Sequence, residues 1–75
     1  MTTQTFNGWT NYETWNVSLY IQNEFNLYQM AQECDTYQQF ADLMTDLDQY
    51  ITADGVSWTH PTLDHDELNE MIQEL

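Results

Sequence analysis

Carboxylates are the side chains of this sequence that recur at spacings able to do chemistry. Seven of them form two sets, one in the middle of the chain and one near its end: Asp35, Asp42 and Asp46, and Asp66, Glu67, Glu70 and Glu74. If both stretches are helical, residues four positions apart lie roughly 6 Å apart on one face. Each stretch then presents a row of carboxylates, which could hold a metal ion, transfer protons or imitate phosphates.

Metal binding is the first of these uses that the spacing argues against. His60 and His65 lie close in sequence to Asp64, Asp66 and Glu67, but they match neither an H-E-x-x-H motif nor a twelve-residue calcium loop. The acids around residue 65 are better explained as cap and first-turn residues of a helix. The sequence therefore predicts no metal site.

Catalysis has equally little support. Without Lys or Arg, the chain has no fixed cation that could stabilise a developing anion. No glycine-rich phosphate loop occurs, and the paired carboxylates are too numerous to single out an acid–base couple. The one cysteine, Cys34, lies on a predicted apolar face, where a thiol is more often a core side chain than a nucleophile. We therefore expect a protein that is not an enzyme and binds no cofactor.

Imitation of phosphates fits the composition. The chain has 75 residues, thirteen Asp and Glu, no Lys or Arg, and a formal net charge of −13. A compact body with anions alone repels nucleic acid and anionic membranes, and it attracts proteins with basic grooves. Carboxylates about 6 Å apart approximate the phosphate spacing of a nucleic acid. The alternative is that both rows are ordinary solvated helix faces.

Aromatic residues near the start of the chain provide a second candidate surface. Trp9, Tyr12 and Trp15 fall within seven residues of one another. Trp and Tyr most often anchor a core while their polar tips reach its edge. The alternative is an exposed patch for docking on a partner or for self-association into a homodimer.

These residues must be positioned by an all-α fold, a small single domain of three to four helices spanning residues 1–75. Residues 1–8 read as a flexible lead. Thr10 and Glu13 fit a capping box for the first helix. Residues 12–21 also alternate as a strand would, but the cap favours a helix.

Three further helices follow from caps and apolar spacing. Asn26 is predicted to cap the second helix, and Asp35 or Thr36 the third, which is predicted to run to about Ala53 and stop at Gly55. Asp64 is predicted to cap the last helix. The apolar faces of residues 37–51 and 68–75 are then expected to pack together.

The segment from Gly8 to Trp15 reads G-W-T-N-Y-E-T-W, and Val17, Leu19, Tyr20 and Ile21 follow it. In this segment the chain resembles short phage-encoded proteins with a G-W-x-N-Y-E-T-W core followed by V-x-L-[WY]-I. The resemblance covers about a fifth of the chain, assigns no activity to any residue, and implies a small accessory product acting inside an infected bacterium. In composition, the chain is also similar to DNA-mimic inhibitors such as phage antirestriction proteins and the phage uracil-DNA glycosylase inhibitor.

Together these features predict a phage-encoded inhibitor or modulator that binds the basic, nucleic-acid-binding surface of a host protein. The expected target is a nuclease, a restriction or CRISPR effector, a polymerase or a nucleoid protein, and direct binding to nucleic acid or a membrane is not expected. The expected location is the cytoplasm of the infected host cell. The alternative is a docking module that uses the aromatic segment to bind and redirect a host metabolic or regulatory protein.

Overall fold

The computed structural model describes residues 6–75, which form four helices and no strand. The helices are α1 (Tyr12–Asn23), α2 (Phe25–Gln32), α3 (Tyr37–Asp46) and α4 (His65–Gln73). The prediction of an all-α fold is confirmed. Residues 1–5, the first part of the predicted flexible lead, lie outside the described residues.

The core lies where the apolar faces of all four helices meet. Helix α1 packs against α2 and α4, and α3 packs against α2 and α4. The largest apolar side chains that are fully buried there come from α1, α3 and α4: Val17, Ile21, Tyr37, Phe40 and Leu68. Each such side chain contributes about 1.5–3 kcal/mol when it leaves water. Within residues 6–75, each helix is too short or too polar to cross a membrane.

Helix α1 settles the ambiguity of residues 12–21, which are helical. Its N-cap is Asn11, whose side-chain oxygen accepts a hydrogen bond from the backbone N–H of Thr14 at 2.8 Å. The predicted cap at Thr10 was therefore wrong by one residue. The reason is that Thr10 is committed elsewhere, to the first turn of α4.

The caps of the other helices follow the sequence in two cases of three. Thr36 caps α3 and Asp64 caps α4, as predicted. The predicted cap of α2 at Asn26 was wrong by two residues, because the N-cap is Glu24 and the helix begins at Phe25. Glu24 is both the C-cap of α1 and the N-cap of α2, and its backbone is extended. No side-chain hydrogen bond caps α2.

Helix α3 ends at Asp46, well before the predicted end near Ala53. Asp48 has a φ of 59°, and the N–H groups of Asp48 and Gln49 donate to the carbonyls of Thr45 and Met44 at 3.0 and 2.8 Å. These two bonds form a Schellman motif, which ends a helix by turning it into the left-handed region. The residues that follow, Leu47 and Ile51, are exposed and do not extend the packed face.

Residues 50–58 form a loop that closes on itself, which we call the 50–58 loop. Ile51 and Ser57 form an isolated antiparallel bridge, and Gly55 turns the chain between them with a φ of 90°. Gly55 is thus a turn residue of this loop. The prediction that it ends α3 was wrong. The loop places Trp58 in the core, where its carbonyl accepts a 2.6 Å hydrogen bond from the hydroxyl of Tyr37.

Candidate functional site

A tight turn at residues 6–9 positions Trp9. Phe6 and Trp9 exchange two backbone hydrogen bonds of 2.7 and 2.8 Å, and Asn7 and Gly8 between them have φ values of 50° and 89°. Positive φ at both central residues is the requirement of a type I′ turn, for which Asn-Gly is the favoured pair. The turn holds the Trp9 side chain against the core, where it is half-buried.

Thr10 joins the start of the chain to the first turn of α4. Its backbone N–H donates to a carboxylate oxygen of Glu67 at 2.9 Å, and its hydroxyl donates to Asp64 at 2.9 Å. Asp64 also accepts from the backbone N–H of Glu67 as the N-cap of α4. The bond from Glu67 N–H, followed by the Thr10 hydroxyl, lowers the pKa of Asp64.

Asn11 and Thr14 add two further bonds at the same junction. The Asn11 side-chain amide donates to the carbonyl of Thr62 at 2.7 Å, and the Thr14 hydroxyl accepts from the backbone N–H of Asp64 at 3.0 Å. We call the bonds of Thr10, Asn11 and Thr14 to residues 62–67 the α1–α4 clasp. The polar residues of the G-W-T-N-Y-E-T-W segment are therefore explained by structure, since most of them hold α1 against the start of α4.

The predicted acidic residues lie mostly on the surface. Six of the seven are exposed, and Glu67, which belongs to the clasp, is half-buried. Three residues of the row on α4 line a groove, whereas no residue of the row on α3 does. Helix α3 meets α4 at Tyr37, whose N–H donates to Asn69 and whose ring contacts His65 edge-on at 5.3 Å.

Another side of α4 lines an open groove of about 630 Å³, which we call the α4 groove. Its acidic lining residues are Glu67, Glu70 and Glu74, and its aromatic lining residues are Trp9 and Tyr28. Asp35, Asp42, Asp46 and Asp66 do not line it. The groove therefore brings together one of the aromatic candidates and three of the acidic ones, although the sequence had presented them as alternatives.

The chemistry of the α4 groove favours a cation. Carboxylates attract Lys and Arg side chains, and aromatic faces add cation–π attraction within about 6 Å of the ring centre. Tyr28 was missed as a site residue because it stands on α2, outside both the acidic rows and the aromatic segment. Tyr28 lines the α4 groove because of the way α2 packs against the other helices. No local pattern in the sequence indicates this packing.

Tyr12 and Trp15, the other aromatic candidates, form a separate cluster with Phe6. Phe6 contacts Tyr12 edge-on at 5.4 Å and Trp15 at 4.6 Å between ring centres. Tyr12 and Phe6 are exposed, and Trp15 is half-buried. The three aromatic candidates thus divide between two places, Trp9 in the α4 groove and the other two beside Phe6.

Cys34 and His60, the cysteine and one of the two histidines, lie outside the α4 groove. Burial, with the nearby charges of Glu33 and Asp35, raises the pKa of the Cys34 thiol, which leaves less thiolate for nucleophilic attack. The Nδ1 atom of His60 lies 2.8 Å from the hydroxyl of Thr62. Among residues 6–75, no three His, Cys, Asp or Glu side chains are placed to hold a metal ion.

The chain belongs to DUF7249, a family of unknown function, whose family model matches residues 2–75. Comparisons with curated proteins and with solved structures gave no significant match. The description of this family assigns no activity to the chain.

Proposed function

We propose that this protein is a phage-encoded, non-enzymatic inhibitor or modulator that acts in the cytoplasm of the infected host cell. It binds the basic, nucleic-acid-binding surface of a host protein by placing carboxylates at the positions that the phosphates of a nucleic acid would occupy. The target is a nuclease, a restriction or CRISPR effector, a polymerase or a nucleoid protein. The phage origin rests on the resemblance of the Gly8–Trp15 segment to phage-encoded proteins.

One observation supports this proposal above the others. Asp42, Asp46, Glu70 and Glu74 are exposed, and the chain contains no Lys or Arg that could pair with any of them. Like charges at i,i+4 cost a helix roughly 0.2–0.5 kcal/mol per pair. A surface that carries this cost on two helices is better suited to a cationic partner than to water alone.

Binding by this surface follows from charge pairing. The protein has no cation with which to neutralise a phosphate, so it does not bind DNA itself. It competes with DNA for the same basic groove of the target. Because the complex rests on charge, its affinity falls as salt rises.

The test begins with a tagged pull-down from host lysate at low and then high salt. The partner is then titrated with two double variants, Asp42→Asn with Asp46→Asn, and Glu70→Gln with Glu74→Gln. We expect each to weaken binding in proportion to the charge removed, and DNA to compete with the unaltered protein. Glu67 is left unchanged because its carboxylate holds the α1–α4 clasp.

A charge-matched control is available at the end of α2. Glu33 is exposed and lies outside the two rows and the α4 groove, so Glu33→Gln removes one charge and is compared with Glu70→Gln alone. If Glu33→Gln weakens binding as much as Glu70→Gln does, the net charge matters and the rows do not. A partner without a basic, nucleic-acid-binding surface would refute the mimicry proposal.

The second candidate is a docking module that uses the aromatic segment to bind a host metabolic or regulatory protein. It is favoured by the exposure of Tyr12 and by the open position of Trp9 in the α4 groove. In that case Trp9→Ala should cost about 2 kcal/mol or more of binding energy, while the acidic double variants should have little effect. Under mimicry the order is reversed, provided that circular dichroism shows the Trp9 variant to be folded.

A further inference from the structure

A second groove lies between α2, α3 and the 50–58 loop, and its lining is mostly apolar. It has a volume of about 470 Å³ and is lined by Tyr20, Leu27, Met30, Met44, Leu47 and Ile51. We call it the α2–α3 groove. It shares no lining residue with the α4 groove.

The groove exists because α3 stops early. The turn at Asp48 directs the chain away from the helix axis, and Leu47 and Ile51 on either side of it line the groove. The side chain of Leu47 is 49% exposed and that of Ile51 is 57% exposed. Met44, which is buried, belongs to the lining, and Met30 is half-buried. Flexible methionines let an apolar surface adapt to the side chains of a partner.

Acidic residues occur in the lining of this groove and next to it in the chain. Glu24 belongs to the lining, and Asp46 and Asp48 flank Leu47 in the chain. Burial, and then the nearby carboxylate of Asp54, raise the pKa of Tyr20, which is another lining residue. A mostly apolar groove with acidic residues in its lining and beside it in the chain suits a ligand with apolar and cationic faces.

We infer that the α2–α3 groove binds a basic amphipathic helix of a partner protein, whose apolar side chains contact Met30, Met44 and Leu47. Amphipathic helices commonly dock in this way in apolar grooves between helices. A second copy of this chain is disfavoured as the occupant, because each copy carries a charge of −13 and the two would repel one another. The inference does not depend on the proposed mimicry, whose carboxylates lie outside the lining of this groove. Asp46, the chain neighbour of Leu47, is the one residue that both invoke.

The test uses a synthetic helical peptide of about 18 leucines and lysines, with the leucines on one face. A peptide of the same composition in scrambled order has the same charge but no apolar face. We expect the patterned peptide to bind at least about tenfold more tightly and to shift the NMR signals of the Met30 and Met44 methyl groups.

Two leucine variants locate the binding surface. Leu47→Gln should weaken binding of the patterned peptide about tenfold or more, which corresponds to the loss of one anchor side chain. Leu19→Gln changes another exposed leucine, one that does not line the groove, and should change affinity less than about twofold. Circular dichroism verifies that both variants are folded.

Four results would overturn the inference. Equal binding of the two peptides would mean that charge alone drives the association. Unmoved methionine methyl signals, or equal effects of the two leucine variants, would place binding elsewhere. Sedimentation that shows a dimer, converted to a monomer by Leu47→Gln, would identify a second copy of the chain as the occupant.

Discussion

Asp48 ends α3 with a left-handed backbone, which costs a residue with a Cβ atom about 1–2 kcal/mol. Glycine has no such cost. We therefore expect Asp48→Gly to be more stable than Asp48→Ala by about 1 kcal/mol. Both variants remove the same charge and the same hydrogen bond to Tyr50, so their difference in urea unfolding isolates the backbone conformation. Equal stabilities would contradict a left-handed cap at this residue.

Asp64 makes stability depend on pH through its capping bonds. The pKa of Asp64 is lower in the folded chain than in the unfolded chain. As the pH falls, the unfolded chain therefore binds a proton at this residue first. The stability that Asp64 contributes to the folded chain at neutral pH is then lost below about pH 4. We expect Asp64→Ala to cost about 1 kcal/mol at neutral pH. Chemical unfolding at several pH values measures both effects.

A matched pair separates the cap from the charge. Asp64→Asn keeps an oxygen that can accept the capping bond, so this variant should lose less stability than the unaltered protein on acidification. Asp66→Asn removes a charge from the same turn without touching the cap and should retain the acid sensitivity. If the stability of Asp64→Asn and of the unaltered protein fell equally with pH, the cap would not be the origin of the effect.

At the residue scale, the caps that were predicted correctly have side chains that accept from the backbone N–H three residues later. Asp64 and Thr36 make that bond, and so does Asn11, although the capping-box pattern favoured its neighbour Thr10. Thr10 does not, because its bonds reach residues more than fifty positions away. Asp48 escaped prediction for another reason, since an aspartate adopts the left-handed conformation less often than a glycine does and Gly55 offered the stronger signal.

At the element scale, Asn16 couples α1 to the 50–58 loop. Its buried side chain donates to Asp54 at 2.8 Å and accepts from the hydroxyl of Thr52 at 2.7 Å. Asn16→Asp would place an unpaired charge beside the Asp54 carboxylate, and we expect it to cost about 3 kcal/mol or more. Thermal unfolding compares this variant with Asn26→Asp, which adds the same charge at an exposed position in the first turn of α2. A loss of stability no greater than that of the control would contradict the network.

Helices α2, α3 and α4 could be predicted from their apolar faces, whereas α1 was predicted from its cap signal, because its apolar spacing also fitted a strand. The end of α3 could not be predicted, because Leu47, Tyr50 and Ile51 continue the apolar spacing beyond the point where the helix stops. Periodicity reports which side chains could be buried, and the Schellman motif decides which ones are. The early stop also created the α2–α3 groove, which no pattern in the sequence indicated.

At the scale of the whole molecule, mutual repulsion of carboxylates opposes folding. Salt shortens the range of that repulsion from about 10 Å at 0.1 M to about 3 Å at 1 M. We expect the melting temperature to rise over this range of sodium chloride. A variant with Asp42, Asp46, Glu70 and Glu74 replaced by their amides should gain less from salt. A melting temperature that falls with added salt would contradict the prediction.

The acidic surface could be predicted from composition, because Asp and Glu are rarely buried and no cation was present to pair with them. The α4 groove could not. It forms only when Trp9, Tyr28 and Glu70 approach from three separate parts of the chain. Such a site depends on tertiary packing, which neither spacing nor composition specifies.

The α1–α4 clasp also has a consequence for the order of folding events. Its bonds join residues 50 to 57 positions apart, so nearly the whole chain must be organised before they form. Contacts that close such long loops are expected to form late, after the transition state. Thr14→Val, which removes the bond to Asp64, should then leave the folding rate unchanged and raise the unfolding rate about fivefold for each kcal/mol lost. Stopped-flow mixing measures both rates, and slower folding of this variant would place the clasp in the folding nucleus.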